Sequence, residues 1–149
     1  MARGRAFVFI QVTGCLFLVY LVYAQGITAL DYDYGVAMGT QEPAERITEV
    51  GVAFWYAFAL GDAVFYIPLL LAGLIGMAKD WQWGRGVMIA AMGITVYWPI
   101  VCLVAIASAR GAPGWTLPKE TEYWIVLPII AAWAAWVLWW LIRPQDRPA

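Results

Sequence analysis

The chain has 149 residues, a net charge of −1, and only 13% charged against 64% hydrophobic side chains. A soluble domain carries about 25% charged residues, so composition argues against a soluble fold, and the near-neutral balance offers no basic surface for nucleic acid. The chain has no histidine, which removes the commonest metal ligand, the usual haem ligand and the usual general base.

Four uncharged or nearly uncharged runs are long enough to cross a bilayer. They are read as membrane helices over about 6–29, 50–77, 86–109 and 123–142, with 1–149 forming one transmembrane domain. The fold class expected is all-α, an integral membrane four-helix bundle of up-down-up-down topology.

The first run follows Arg3 and Arg5. With Val22-Tyr23-Ala24 behind it, it has the outline of a signal peptide, but the run is longer than a signal core and a retained helix is expected. Gln11, Gly14, Cys15, Leu18, Val22 and Gln25 form a semi-polar stripe expected to face inward. Cys15 and Cys102 fall in different runs with no Cys-x-x-Cys spacing, so both are read as small buried residues rather than a disulfide. The 31–49 connection is acidic. Its Asp31-Tyr32-Asp33-Tyr34-Gly35 start reads as a solvated turn, and 43–49 is expected to begin the second helix outside the hydrocarbon.

The second run holds the most informative residue. Between Glu49 and Lys79 the one charge is Asp62, with twelve uncharged residues before it and sixteen after. Neither half alone reaches the ~20 apolar residues of a spanning helix. If the segment spans, Asp62 lies near the bilayer centre, where an ionised side chain costs at least ~2.5 kcal/mol. At about 100° per residue, Asp62 shares a stripe with Gly51, Trp55, Phe58, Tyr66, Leu69, Gly73 and Gly76. The opposite stripe, Ala53, Ala57, Leu60, Val64, Ile67, Leu71 and Ile75, is purely aliphatic or alanine and suits lipid. Asp62 is therefore expected to point into the bundle or a subunit interface.

The 79–85 connection is short, so the second and third helices should be antiparallel neighbours. The third helix brings Tyr97, Trp98 and Pro99 to similar depth, with Thr95 about a turn nearer the cytoplasm. No Lys, Arg or His lies within any run to pair with the acid. The candidate ligand- or proton-binding residues are thus Asp62, Tyr66, Trp55, Tyr97, Trp98 and Thr95. A neutral Asp62 bonded to Tyr or Thr would be a tie between helices, contributing ~0.6 kcal/mol. The alternative is that it exchanges a proton or meets a cationic substrate.

Pro68, Pro99 and Pro128 interrupt the last three runs and can bend them. The 110–122 loop, with Gly111, Pro113, Gly114 and Pro118, is expected to be irregular. Of the ten tryptophans, Trp81, Trp83, Trp115, Trp124, Trp139 and Trp140 fit an aromatic belt. Trp55, Trp98, Trp133 and Trp136 lie deeper. Ala72 to Gly76, Gly86 to Ala90 and Ala131 to Ala135 are small-residue spacings that permit close helix contact. Six of the nine Lys and Arg residues fall at the termini and the 79–85 turn, which places both termini in the cytoplasm, in a bacterial inner membrane.

The layout is similar to that of the small multidrug resistance exporters, four-helix proteins with one membrane carboxylate. Theirs is a glutamate in the first helix, whereas the first helix here has no acid, so the likeness is one of architecture only. The function expected is a non-catalytic accessory or lipophilic-ligand-binding module, with a small proton-coupled transporter using Asp62 as the alternative. Its partners would be the lipid bilayer and a membrane protein or second copy of the chain. No metal or cofactor is expected, and paired acid/base carboxylates are missing from the runs, so catalysis is the least supported class.

Overall fold

The computed structural model describes residues 4–143; Arg3 and Arg147, two of the charges used for orientation, lie outside them. Every element among the described residues is helical. Four helices are long and apolar enough to cross a membrane: Arg5–Leu30, Ala44–Ala78, Gly84–Ala109 and Glu120–Ile142. They are called here the first to fourth helices. Each holds an 18-residue stretch of mean hydropathy 2.0 to 2.2, which marks an integral membrane protein.

Local chemistry explains where each helix begins and ends. Of residues 31–35, expected as a turn, 32–35 instead belong to a short helix, Tyr32–Ala37. Asp31 is extended at φ −153° and accepts from the Tyr34 N–H at 2.9 Å, so the residue read as a turn former is an N-cap. The second helix is broken at Thr48, which holds φ 66° and ψ 165°. A β-branched residue rarely adopts that conformation. Its hydroxyl accepts from Gly51 N at 3.4 Å, so Thr48 caps the apolar part of the helix and separates it from 44–47. The third helix starts at Gly84 after a tight turn, and Arg85 reaches across to the end of the fourth. Its Nε donates to the Leu141 carbonyl at 2.7 Å, and its guanidinium also reaches the Arg143 carbonyl at 2.7 Å. A cation on the last carbonyls of a helix satisfies groups the helix itself cannot.

The second and third helices pack backbone to backbone. A Cβ added at Gly76 would lie 2.6 Å from the Gly84 Cα, and one at Gly73 would lie 3.0 Å from the Met88 Cα. These contacts run in reverse order, so the two helices fold back on one another, and the third and fourth also lie along each other. The small-residue pair that matters is therefore Gly76 with Gly84. Gly86 and Ala90 are exposed, and a Cβ at Gly86 would meet nothing within 4 Å.

The face assignment of the second helix agrees with the burial pattern. Gly51, Trp55, Asp62, Tyr66, Gly73 and Gly76 are buried, while Ala53, Ala57, Leu60, Val64, Leu71 and Ile75 are exposed. The first helix keeps the expected stripe in part: Gly14 is buried and Gln11, Leu18 and Gln25 are half-buried. Its buried positions are Ile10, Gly14, Leu21, Ala24 and Thr28, whereas Cys15 and Val22 face outward. Small, polar and aliphatic side chains share the inner face, and Val12, Leu16 and Val19 lie outside it. In a run apolar on all sides, polarity is a poor guide to the inner face. Cys102 is buried, as read, and neither cysteine forms a disulfide.

Candidate functional site

Two stretches of the long helices widen to π-helical turns: Val22–Gly26 in the first and Asp62–Tyr66 in the second. In each, the closing N–H reaches back five residues, from Ile27 to Val22 and from Ile67 to Asp62. Single wide turns of this kind are frequent at functional sites. Sequence explains the second one. Pro68 has no N–H, and its ring would press on the carbonyl four residues back, Val64. Widening the preceding turn relieves that clash. Ile67, the ordinary donor to Ala63, serves Asp62 instead, and Pro68 has no hydrogen to replace it. The two wide turns pack against each other.

Asp62 opens the second wide turn. It is 8% exposed, and among the described residues no hydrogen bond or ion pair engages its carboxylate. Its oxygens are not sealed among the buried unpartnered atoms, so they keep a small opening to the outside of the packing. The carboxylate lies within electrostatic reach of Tyr66 and Cys102.

The expected tie between helices exists, but Asp62 does not make it. Tyr66 Oη hydrogen-bonds Thr95 Oγ1 across the second and third helices. Thr95 gives its own proton to the Ala91 carbonyl at 2.8 Å, so Tyr66 is the donor to Thr95. Both residues are almost completely buried. Trp98 joins them on the inner face of the third helix and lies close enough to the Tyr66 hydroxyl to interact with it. Its Nε1 nonetheless has no partner of hydrogen-bonding geometry.

The other two candidates stand apart. Trp55 is buried further along the second helix, stacked on Tyr123 at 6.3 Å and 14°, with an unpartnered Nε1. Tyr97 is 65% exposed and does not join the cluster, because the turn that brings Thr95 and Trp98 inward carries Tyr97 outward.

Two contributors were not among the candidates. Gln25 sits in the first wide turn with its Oε1 buried and unpartnered, and Cys102 lies beside Asp62. Gln25 had a signal, being one of two amides in the first run. The Asp62-to-Pro68 spacing was a signal for the wide turn. Cys102 had none. The arrangement is chemically simple: a buried acceptor with no donor, beside a self-satisfied hydroxyl pair, at the contact of two widened helices.

No family of known proteins matches the chain, nor does any curated protein or solved structure.

Proposed function

We propose that this is a non-catalytic membrane module that binds a lipophilic ligand through Asp62. Its four helices run up-down-up-down with both termini in the cytoplasm of a bacterial cell, and Asp62 sits near the middle of the bilayer. The observation that carries this reading is the unmet carboxylate. Buried polar groups in folded proteins are almost always hydrogen-bonded, and leaving one unmet is costly. Here Tyr66, whose hydroxyl lies within electrostatic reach of the carboxylate, is committed to Thr95, and Thr95 to the Ala91 carbonyl. A donor from outside the chain, an ammonium or hydroxyl on an apolar body, fits that vacancy in bonding. Tyr66 beside Asp62, and Trp98 beside Tyr66, suit a flat apolar partner.

A second reading, a small proton-coupled transporter, is favoured by the facing wide turns. Two packed helices that each carry a weakened hydrogen-bond ladder can bend where they meet, at the residue that would load the proton.

The test is native mass spectrometry of the protein extracted gently from its own membranes, with Asp62→Asn alongside. A small molecule retained by the wild type and lost in a folded Asp62→Asn supports the ligand reading. A second polypeptide at fixed stoichiometry, indifferent to Asp62→Asn, would replace it with an accessory subunit. Proton flux in liposomes that vanishes in Asp62→Asn would move the transporter to first place.

A further inference from the structure

The first and fourth helices touch through Phe9 and Trp136, edge-on at 5.6 Å, and through Trp133 Nε1, which donates to Thr13 Oγ1 at 3.1 Å. Beyond Phe17, which meets Trp133 at 5.5 Å, a cavity of about 210 Å³ takes the place of contact. It is bounded by Tyr20 and Ala24 of the first helix, the loop carrying Glu42, and the start of the fourth helix with Tyr123 and Val126. Lys119 and Glu122 stand at its edge. Tyr20 and Val126 remain 47% and 46% exposed, so the cavity opens sideways onto the apolar surface.

Its charges are unusual because they are incompletely used. Glu42 is only 5% exposed. Its Oε2 accepts from Arg46 at 3.1 Å, but among the described residues no donor reaches Oε1. Lys119 Nζ makes one long contact, 3.4 Å to the Gly39 carbonyl, and no carboxylate among the described residues pairs with it. Glu122 likewise has no cation among them. With Arg46 balancing Glu42, the remaining Lys119 and Glu122 cancel, so the site is neutral overall but holds one unused ammonium and unused carboxylate oxygens. Tyr20 and Tyr123 line the space between these charges.

We propose that this cavity holds the headgroup of an amine-bearing phospholipid. Lys119 meets the phosphate, Glu42 Oε1 and Glu122 accept from the ammonium, and the acyl chains lie outside along Val126. An anionic headgroup without an amine would face two carboxylates. A trimethylated ammonium has no N–H for Glu42 Oε1. A cation alone would leave Lys119 unmatched and repel it. The volume has room for about seven waters, which suits a headgroup of similar heavy-atom number and excludes a whole lipid. The site rests on the membrane placement of the four helices and is independent of the ligand reading at Asp62.

The full chain would be placed in nanodiscs of equal phosphatidylethanolamine, phosphatidylcholine and phosphatidylglycerol and examined by native mass spectrometry. One phosphatidylethanolamine should be retained in preference to the other two. Lys119→Gln and Glu122→Gln, both at exposed positions that cannot unfold the chain, should each lower that retention about tenfold. Asp62→Asn should leave it unchanged, which separates this site from the other. Retention of the three lipids in bilayer proportion, or preference for phosphatidylglycerol, would overturn the proposal. So would retention unaltered in the Lys119→Gln, Glu122→Gln double variant. Binding of soluble phosphoethanolamine with no lipid retained would make the ligand a free zwitterion and overturn the lipid source.

Discussion

Tyr66 and Asp62, one turn apart on the same helix, meet their polar requirements in opposite ways. Tyr66 reaches a partner on the next helix, while Asp62 reaches none among the described residues. If the Tyr66–Thr95 bond is the structural tie, a double-mutant cycle of Tyr66→Phe and Thr95→Val in detergent should give a coupling of about 0.6 kcal/mol. A coupling near zero would leave the pair without a structural role. Sequence placed Asp62, Tyr66 and Trp55 on the inner face correctly, because glycine, aromatic and acid share that stripe and aliphatics the other. It could not separate Trp98 from Tyr97. Both are large aromatics at one depth, and an apolar helix in lipid has little polar contrast to mark its inner side.

At the level of the helices, the legible features were length, number and the short turn between the second and third. What escaped were the breaks. A wide turn changes no residue type, and Thr48 at positive φ is an unexpected cap because a branched side chain resists that conformation. The Tyr32–Ala37 helix was hidden by Asp31, whose residue type serves turns and N-caps alike. The contact of Gly76 with Gly84 sets the spacing of the second and third helices, since backbone meets backbone there. Gly84→Ala should therefore lower thermal stability in detergent by about 2 kcal/mol. Gly86→Ala, two residues on and facing open space, should not lower it. Equal losses in both would mean that helix spacing is not set by this contact.

For the molecule as a whole, one side chain joins the middle of the sequence to its end. Arg85 holds the carbonyls of Leu141 and Arg143, and Arg143 in turn lies 3.3 Å from the centre of the Trp139 ring. Arg85→Met keeps the apolar stem but removes the donors. It should cost about 1 kcal/mol and speed amide exchange across the last turn of the fourth helix, while residues 62–66 exchange as before. Acceleration spread evenly over the chain would mean that the contact supports the entire fold rather than that end.

The two wide turns also differ in a way that matters for motion. Each is a dislocation in a ladder of hydrogen bonds, able in principle to glide when a carbonyl trades one donor for the next. In the second helix Pro68 blocks the glide, because the next rung has no donor to offer. The first helix has no proline, and its dislocation is held by packing and by hydrogen bonds onto the Ala24 carbonyl from Thr28 Oγ1 and Gln41 Nε2. A fixed defect carrying Asp62 thus faces a movable one carrying Ala24, which lines the cavity. A shift of that movable defect would reshape the cavity while the carboxylate stayed where it is.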